Sequence, residues 1–301
     1  MADRLTGVEV FVTAMRLGGL SAAARKLQMS PAMAAKHLNA LEARLGTALV
    51  NRTTRRLSFT GAGAAYFERA ERLIADFHEA EAEATAQGAV VGGRLRVSVP
   101  ASFAVLHLGP LVAAFNRRHP GITMELGLSD RQVDLIAEGW DCAIRIGRLV
   151  DSSLVARKLA DVHFILCAAP DYLARHGTPR CVADLAEHDC LDFTLSSSSP
   201  RIWRFGKDGS VRQPINGTLH ADNGDVLVEA AAAGLGLVYG PRFIAARALQ
   251  EGRLVEVALD HAPSPLGAIY AITHPSRRPA ARTRAWIEYL AETLPPLAAD
   301  W

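Results

Sequence analysis

Apolar positions recur every three or four residues at the start of the chain, and the pattern predicts three short helices. Val8, Phe11, Val12 and Met15 form the first stripe, with Asp3 or Thr6 as its cap and Gly18-Gly19 as its stop. Ser21 is expected to cap a second helix that Ala22, Ala23 and Ala24 keep thin enough for close packing. Ser30-Pro31 repeats the start signal, with Ser as cap and Pro at the first helical position, where a missing N–H costs nothing. In the third helix Ala34, Leu38, Leu41 and Leu45 turn inward, while Ala32, Ala35, Lys36, Asn39 and Ala43 form the outer face. Residues 48–52 and 56–60 then flank Thr53-Thr54-Arg55 as a β-hairpin.

Residues 62–87 lack proline and contain glycine only at Gly63. Tyr66, Ala70, Leu73, Phe77, Ala80 and Ala84 alternate steps of four and three there, a coiled-coil seam widened by Phe67 and Ile74. A lone helix has nothing of its own to bury this stripe against, so dimerisation through it is expected; the alternative is a helix packed on its own domain. Gly88 and residues 90–93 break the pattern as a hinge. The rhythm then becomes strand and helix in alternation. Strands are expected at 94–99, 122–128, 142–146, 162–168, 217–221, 235–239 and 266–273. Helices are expected at 104–118, 130–138, 170–176, 225–233, 241–251 and 279–293. Such alternation predicts parallel sheets covered on both faces.

Charge changes the picture more than composition does. The 301 residues carry a net +2, but residues 1–60 hold nine Lys/Arg against three Asp/Glu and so contribute +6. The remainder is therefore −4, and only the head is suited to a polyanion. The helix at 62–87 carries a surplus of four acids, which keeps it away from phosphates. No apolar run reaches the ~20 residues of a membrane span and no signal segment opens the chain, so a cytoplasmic protein without a membrane partner is expected. Cys142, Cys167, Cys181 and Cys190 have no metal-ligand spacing and read as inert thiols, with no metal site.

A helix, a tight turn, a second helix and a basic hairpin together form a device for gripping duplex DNA. A major groove about 12 Å wide admits one helix, with its N-terminal residues nearest the bases. Ala32, Ala35, Lys36 and Asn39 are the candidate readers, and the hairpin arginines suit phosphates or a narrow minor groove.

The string from Ser21-Ala-Ala-Ala-Arg-Lys-Leu through Ser30-Pro31, Arg44-Leu45-Gly46 and Asn51-Arg52-Thr53-Thr54-Arg55-Arg56 to Thr60-x-Ala62-Gly63 resembles the winged helix-turn-helix of LysR-type transcriptional regulators. The likeness continues through Arg94-Leu95-Arg96-Val97-Ser98, Phe115-x-x-x-x-Pro120, Asp134-Leu135 and Gly234-Leu235-Gly236. It implies an N-terminal all-α winged helix-turn-helix domain at 1–60 and a linker helix at 61–88. A two-lobed α/β effector domain, similar to periplasmic binding proteins, would follow at 89–301. Lobe one is placed near 93–164 and 267–294, lobe two near 165–266.

On this resemblance the DNA-binding set is Ser30, Pro31, Ala32, Ala35, Lys36, Asn39, Arg52, Thr54, Arg55 and Arg56. The family usually has Ser where Ala35 stands, so specificity leans on Lys36, the wing arginines and DNA shape. The cleft between the lobes would hold a small, anionic effector and no other cofactor. Ala101, Ser102, Phe103, Asp130, Ile146, Gly147, Asn223 and Tyr239, at strand ends and helix starts, are the candidate effector residues. Arg145, beside Ile146, is a further candidate, and the segment Trp203-Arg204-Phe205 reads equally as an aromatic wall or as a surface hairpin. The implied partners are double-stranded DNA, a second copy or a tetramer, and RNA polymerase.

An enzymatic reading does poorly. Ser102 lacks a G-x-S-x-G setting, no H-E-x-x-H or phosphate-cradling glycine loop occurs, and the ten histidines are scattered. The competing reading is a metabolite-binding protein or enzyme whose basic head docks to a protein partner.

Overall fold

Ser30 sets the start of the helix on which the N-terminal unit is built. In a computed structural model describing residues 4–52, 57–84, 91–147, 154–194, 201–264, 267–275 and 279–298, three helices lead the chain. They are α1 (Arg4–Arg16), α2 (Leu20–Lys26) and α3 (Pro31–Leu45). The Ser30 hydroxyl accepts from the Met33 N–H at 3.2 Å, and Gly46 closes α3 in the left-handed region at φ 68°. Gln28, at φ 54°, makes the tight turn between α2 and α3. Phe11, Ala24, Ala34, Leu38 and Leu41 are buried together at the centre.

Three local expectations need correction. Thr6 lies inside α1, and Asp3 falls outside the described residues. Gly19, not Ser21, precedes α2 and makes no side-chain cap; the Ala23 N–H already bonds Gly19 O, so the helix has begun before Ser21. The core takes α3 only as far as Leu41, and Leu45 in the last turn is 38% exposed, where the chain turns away at Gly46.

Strands β1 (Val50–Arg52) and β2 (Leu57–Phe59) pair antiparallel as the wing, and α4 (Gly61–Ala84) follows. Thr60 joins the two parts: its hydroxyl donates to Ala48 O at 2.7 Å and accepts from Gly63 N–H at 2.9 Å. A Cβ at Gly63 would lie 1.8 Å from Leu49 O, so only glycine allows α4 to start this close to β1. The Phe11 ring meets Phe59, Tyr66 and Phe67 at centroid distances of 6.3, 5.7 and 6.1 Å. The seam drawn through α4 is therefore divided. Ala70 and Ile74 are buried in the head's own core, with Tyr66 and Phe67 against it, because the Thr60 cap seats the first turns of α4 on the head. Leu73 and Phe77 remain exposed, at 54% and 40%. The Ala80 and Ala84 side chains lie outside the described residues.

The chain divides into two compact units, Met1–Val90 and Val91–Trp301. The second unit begins with β3 (Gly93–Val99) and a short helix, α5 (Ala101–Phe103). A π-turn (Ala104–Leu108) carries α5 into α6 (Gly109–Arg118). Then come β4 (Ile122–Leu128), β5 (Cys142–Gly147), β6 (Val155–Asp161), β7 (Phe164–Ala168), α7 (Pro170–His176) and β8 (Cys190–Phe193). A hairpin of β9 (Ile202–Phe205) and β10 (Val211–Pro214) precedes β11 (His220–Ala221), α8 (Gly224–Ala232), β12 (Leu237–Pro241), α9 (Arg242–Gln250) and β13 (Val255–Glu256). Finally β14 (Ala268–Thr273) and α10 (Ala281–Ala298) return to the first lobe.

Lobe one is a five-stranded sheet in the order β4-β3-β5-β14-β6; lobe two runs β11-β8-β12-β7-β13. Neither sheet is purely parallel, which corrects the simpler expectation. β14 runs antiparallel to β5 and β6, and β7 antiparallel to β12 and β13, because the chain crosses between lobes twice and re-enters each sheet reversed. The helix expected at 130–138 is a turn. Asp134 Oδ1 caps it, accepting from the N–H groups of Ile136 and Ala137, both at 2.9 Å, and Glu138 N–H bonds Asp134 O at 2.9 Å; Gly139, at φ 71°, ends it after that single turn. Phe103, Phe115, Ile144, Trp286 and Leu290 fill the core of lobe one; Leu166, Tyr172, Phe205 and Leu237 fill one side of lobe two.

Candidate functional site

Two places combine the chemistry expected from the sequence. The first is the outer face of α3. Ser30, Pro31, Ala32, Lys36 and Asn39 are exposed along it, and Ala35 is half-buried. The hydroxyl cap directs the free N-terminal end of the helix outward, with Lys36 and Asn39 on the turns behind it. Glu42, whose structural part the sequence alone did not reveal, ties this helix to the wing. Its Oε1 accepts from the N–H groups of Leu49 at 2.8 Å and Val50 at 3.1 Å, so the wing is fixed relative to the reading face. Arg52 belongs to β1, while Thr54, Arg55 and Arg56 lie outside the described residues.

The second place is a cavity of about 180 Å³ between the two lobes of the C-terminal unit. Lobe one supplies Pro100, Ser102, Phe103, Asp130, Arg145 and Ile146. Lobe two supplies Phe164, Ile165, Cys167 and Phe193, then Gly224, Leu227 and Val228 from α8, and residues 238–241 and 243–245 from β12 and α9. Its wall is mostly apolar, with few polar groups, the usual composition of a small-molecule site.

Five of the eight predicted effector residues line it: Ser102, Phe103, Asp130, Ile146 and Tyr239. Ala101, Gly147 and Asn223 do not. Ala101 N–H bonds Asp130 Oδ2 at 3.2 Å. Asn223 caps α8, its Oδ1 accepting from Asp225 N–H at 3.0 Å and Val226 N–H at 3.2 Å. Gly147, at φ 124°, lies at the end of β5, where a Cβ on Gly267 would come 2.5 Å from its Cα. Of the two readings of Trp203-Arg204-Phe205 the structure shows a hairpin strand outside the cavity's lining: Trp203 stacks on Tyr239 at 5.3 Å, and the Tyr239 hydroxyl donates to Arg204 O at 2.7 Å. Burial pushes that phenol up to about 12.

The polar edge is already bonded within the chain. The Ser102 hydroxyl donates to Asp225 Oδ2 at 2.9 Å across the cleft. Arg145 Nη1 donates to Ile144 O at 2.7 Å, and its Nη2 to Ser98 Oγ at 3.0 Å and Arg131 O at 2.9 Å. Burial lowers the pKa of Arg145. Burial also raises that of Asp130, against the Ala101 N–H and Arg145, with Asp222 and Asp225 raising it further. The Ser102 hydroxyl, the Ala101 N–H, the first N–H groups of α8 and both Nη groups of Arg145 are thus engaged by the chain's own side chains and carbonyls. Cys167, in the wall, is pushed up to about 12 by burial and is no nucleophile at neutral pH. Among the described residues no group of three or more His, Cys, Asp or Glu could hold a metal, and no helix is long and apolar enough to cross a membrane.

Comparison with known proteins finds relatives along almost the whole chain. A family model described as a bacterial regulatory helix-turn-helix protein of the lysR family matches residues 5–64, and one described as a LysR substrate binding domain matches 88–295. The HTH-type transcriptional regulator CrgA of Neisseria meningitidis serogroup B is 34% identical over 285 residues, covering 95% of each chain. DmlR, an HTH-type transcriptional regulator of Escherichia coli, is 30% identical over 290 residues, covering 96% of this chain and 94% of DmlR. The CrgA structure superposes with a TM-score of 0.60 over 96% of this chain and 98% of that one. Full-length AphB, described as a virulence activator of Vibrio cholerae, is 27% identical and gives 0.57 over 95% and 98%.

Proposed function

Because the chain belongs to the LysR family of DNA-binding transcriptional regulators, we propose that it acts as a dimer or dimer of dimers on an operator with two similar half-sites. A small molecule in the interlobe cavity would shift its activity. The observation that carries this reading is the Ser30-capped helix α3, held against a wing by Glu42 in the basic part of the chain. Lys36 and Asn39 meet base edges; Arg52, Thr54, Arg55 and Arg56 serve the backbone and minor groove. The exposed Leu73 and Phe77 on α4 supply the apolar contact for a second copy, and two-fold pairing then sets half-site spacing.

The effector acts only in so far as it binds one arrangement of the lobes better than another. RNA polymerase at the promoter is the partner through which occupancy alters transcription, and the cytoplasm, where the bacterial chromosome lies, is the place of work. Titration of the full chain against labelled DNA from upstream of its own gene tests this. Retardation that persists against excess scrambled DNA supports the reading; equal affinity for both removes sequence-specific regulation at that promoter.

A further inference from the structure

The interlobe cavity has an uneven distribution of acceptors and donors. On its lobe-two side Phe164, Phe193, Tyr239 and Phe243 present aromatic surface. At about 180 Å³ the space suits a ligand built on a single ring, since a cavity of about 150 Å³ admits benzene. The polar edge is where a charged substituent would go.

Several donors there already have internal acceptors: Ala101 N–H on Asp130, Ser102 Oγ on Asp225, the first N–H groups of α8 on Asn223, and Arg145 Nη1 and Nη2 on three backbone carbonyls and Ser98 Oγ. An incoming carboxylate would have to displace these bonds and join the carboxylates already present. Asp222 and Asp225 are close enough to act on Asp130, and Arg145 is the cation among the groups that act on it from inside the cleft. Asp130 receives one hydrogen bond among the described residues, through Oδ2 from Ala101, which leaves Oδ1 available to a donor on a ligand. A cation at this point relieves like-charge repulsion that a carboxylate would increase. Aromatic faces further favour a positively charged guest over a negative one.

Resting on the reading of this cavity as the effector site, we propose that it selects a compact aromatic or alkyl ligand bearing a protonated amine, with Asp130 as its counter-ion. An anionic metabolite is disfavoured there. Asp225 stands outside the lining but bonds Ser102, which is in it, and its charge acts on Asp130.

The test uses the full chain and three probes of matched size, benzylamine, benzyl alcohol and benzoate, titrated calorimetrically at pH 7 against the parent protein, Asp130→Asn and Asp225→Asn. Benzylamine is expected to bind at least tenfold more tightly than benzoate. Asp130→Asn is expected to erase that preference while leaving benzyl alcohol unchanged, and Asp225→Asn to reduce it by a smaller factor. Benzoate binding as tightly as benzylamine overturns the charge selection and leaves the cavity standing as an effector site. So does a preference for benzylamine that survives Asp130→Asn. If Asp130→Asn does not fold, retention of the full preference in Asp225→Asn overturns the acidic corner. Binding of none of the three probes overturns the cavity reading itself, and the proposal with it.

Discussion

Ser102, buried behind β3 on one lobe, donates its hydroxyl to Asp225 in the first turn of α8 on the other lobe, 2.9 Å away. This bond crosses the cavity mouth, beside the point where Gly224 allows α8 to approach Ile244; a Cβ on Gly224 would meet Ile244 Cδ1 at 2.9 Å. Phe103 of lobe one also meets Phe243 of lobe two at a centroid distance of 6.0 Å, so the lobes are held together by polar as well as apolar contact.

Removing that bond should loosen the lobes without emptying the core. Ser102→Ala is expected to lower the stability of the C-terminal unit by about 1 kcal/mol, the net worth of a hydrogen bond, and so lower Tm by a few degrees. Calorimetric melting measures it. An unchanged Tm would show that the bond makes no net contribution.

The head depends on a backbone approach that admits no side chain. Gly63→Ala places a methyl group 1.8 Å from where Leu49 O now lies, so α4 or β1 must move. A loss of about 1–3 kcal/mol is expected, as for overpacking elsewhere. DNA affinity should fall with it, because the same shift moves the wing that Glu42 positions. Denaturant unfolding and DNA titration of the variant give both quantities.

Lys36 and the wing arginines should separate by kind of effect. Lys36→Ala is expected to relax preference at particular base pairs, measured on a panel of operator variants, by about 1–3 kcal/mol at the position it reads. Arg55→Ala with Arg56→Ala should weaken binding to all sequences and reduce the salt slope by about two, one for each phosphate that is no longer neutralised. An unaltered slope would take both arginines out of the interface.

Asp184 offers a pH test in lobe two. Its carboxylate accepts from the N–H groups of Arg180 and Cys181, which with the Cys181 thiol hold its pKa down to about 2 from 3.8. A depressed carboxylate pKa stabilises the fold above the unfolded value, and the benefit is lost as pH falls from about 3.8 towards 2. Asp184→Asn should therefore be less stable than the parent at neutral pH, and the gap should close over that window. A gap independent of pH would assign the effect to packing.

The head was legible in the sequence because its signals are local: Ser30-Pro31 starts α3 and the three-four spacing turns Ala34, Leu38 and Leu41 inward. What escaped depends on partners distant in the chain. β6 reads as a polar segment, with Arg157 and Lys158 exposed, and becomes a strand only by pairing with β14 more than a hundred residues later. Asp130–Glu138 has helix-like spacing, yet the turn begins only at the Asp134 cap and stops at Gly139, φ 71°, leaving room for one turn. In the cavity, the helix starts and strand ends pointed to Ser102, Asp130 and Tyr239. Phe164, Phe193 and Phe243 gave no such signal, since a strand or helix residue facing a cavity and one facing a core have the same apolar side chain.

The central claim is that paired α3 helices read two half-sites on one face of the DNA, and hydroxyl-radical footprinting of the full chain on its own upstream region tests it most directly. Two similar protected segments are expected, their centres a whole number of helical turns apart, about 10–10.5 base pairs or a multiple. A single unpaired segment, or protection spread evenly along the fragment, would contradict it.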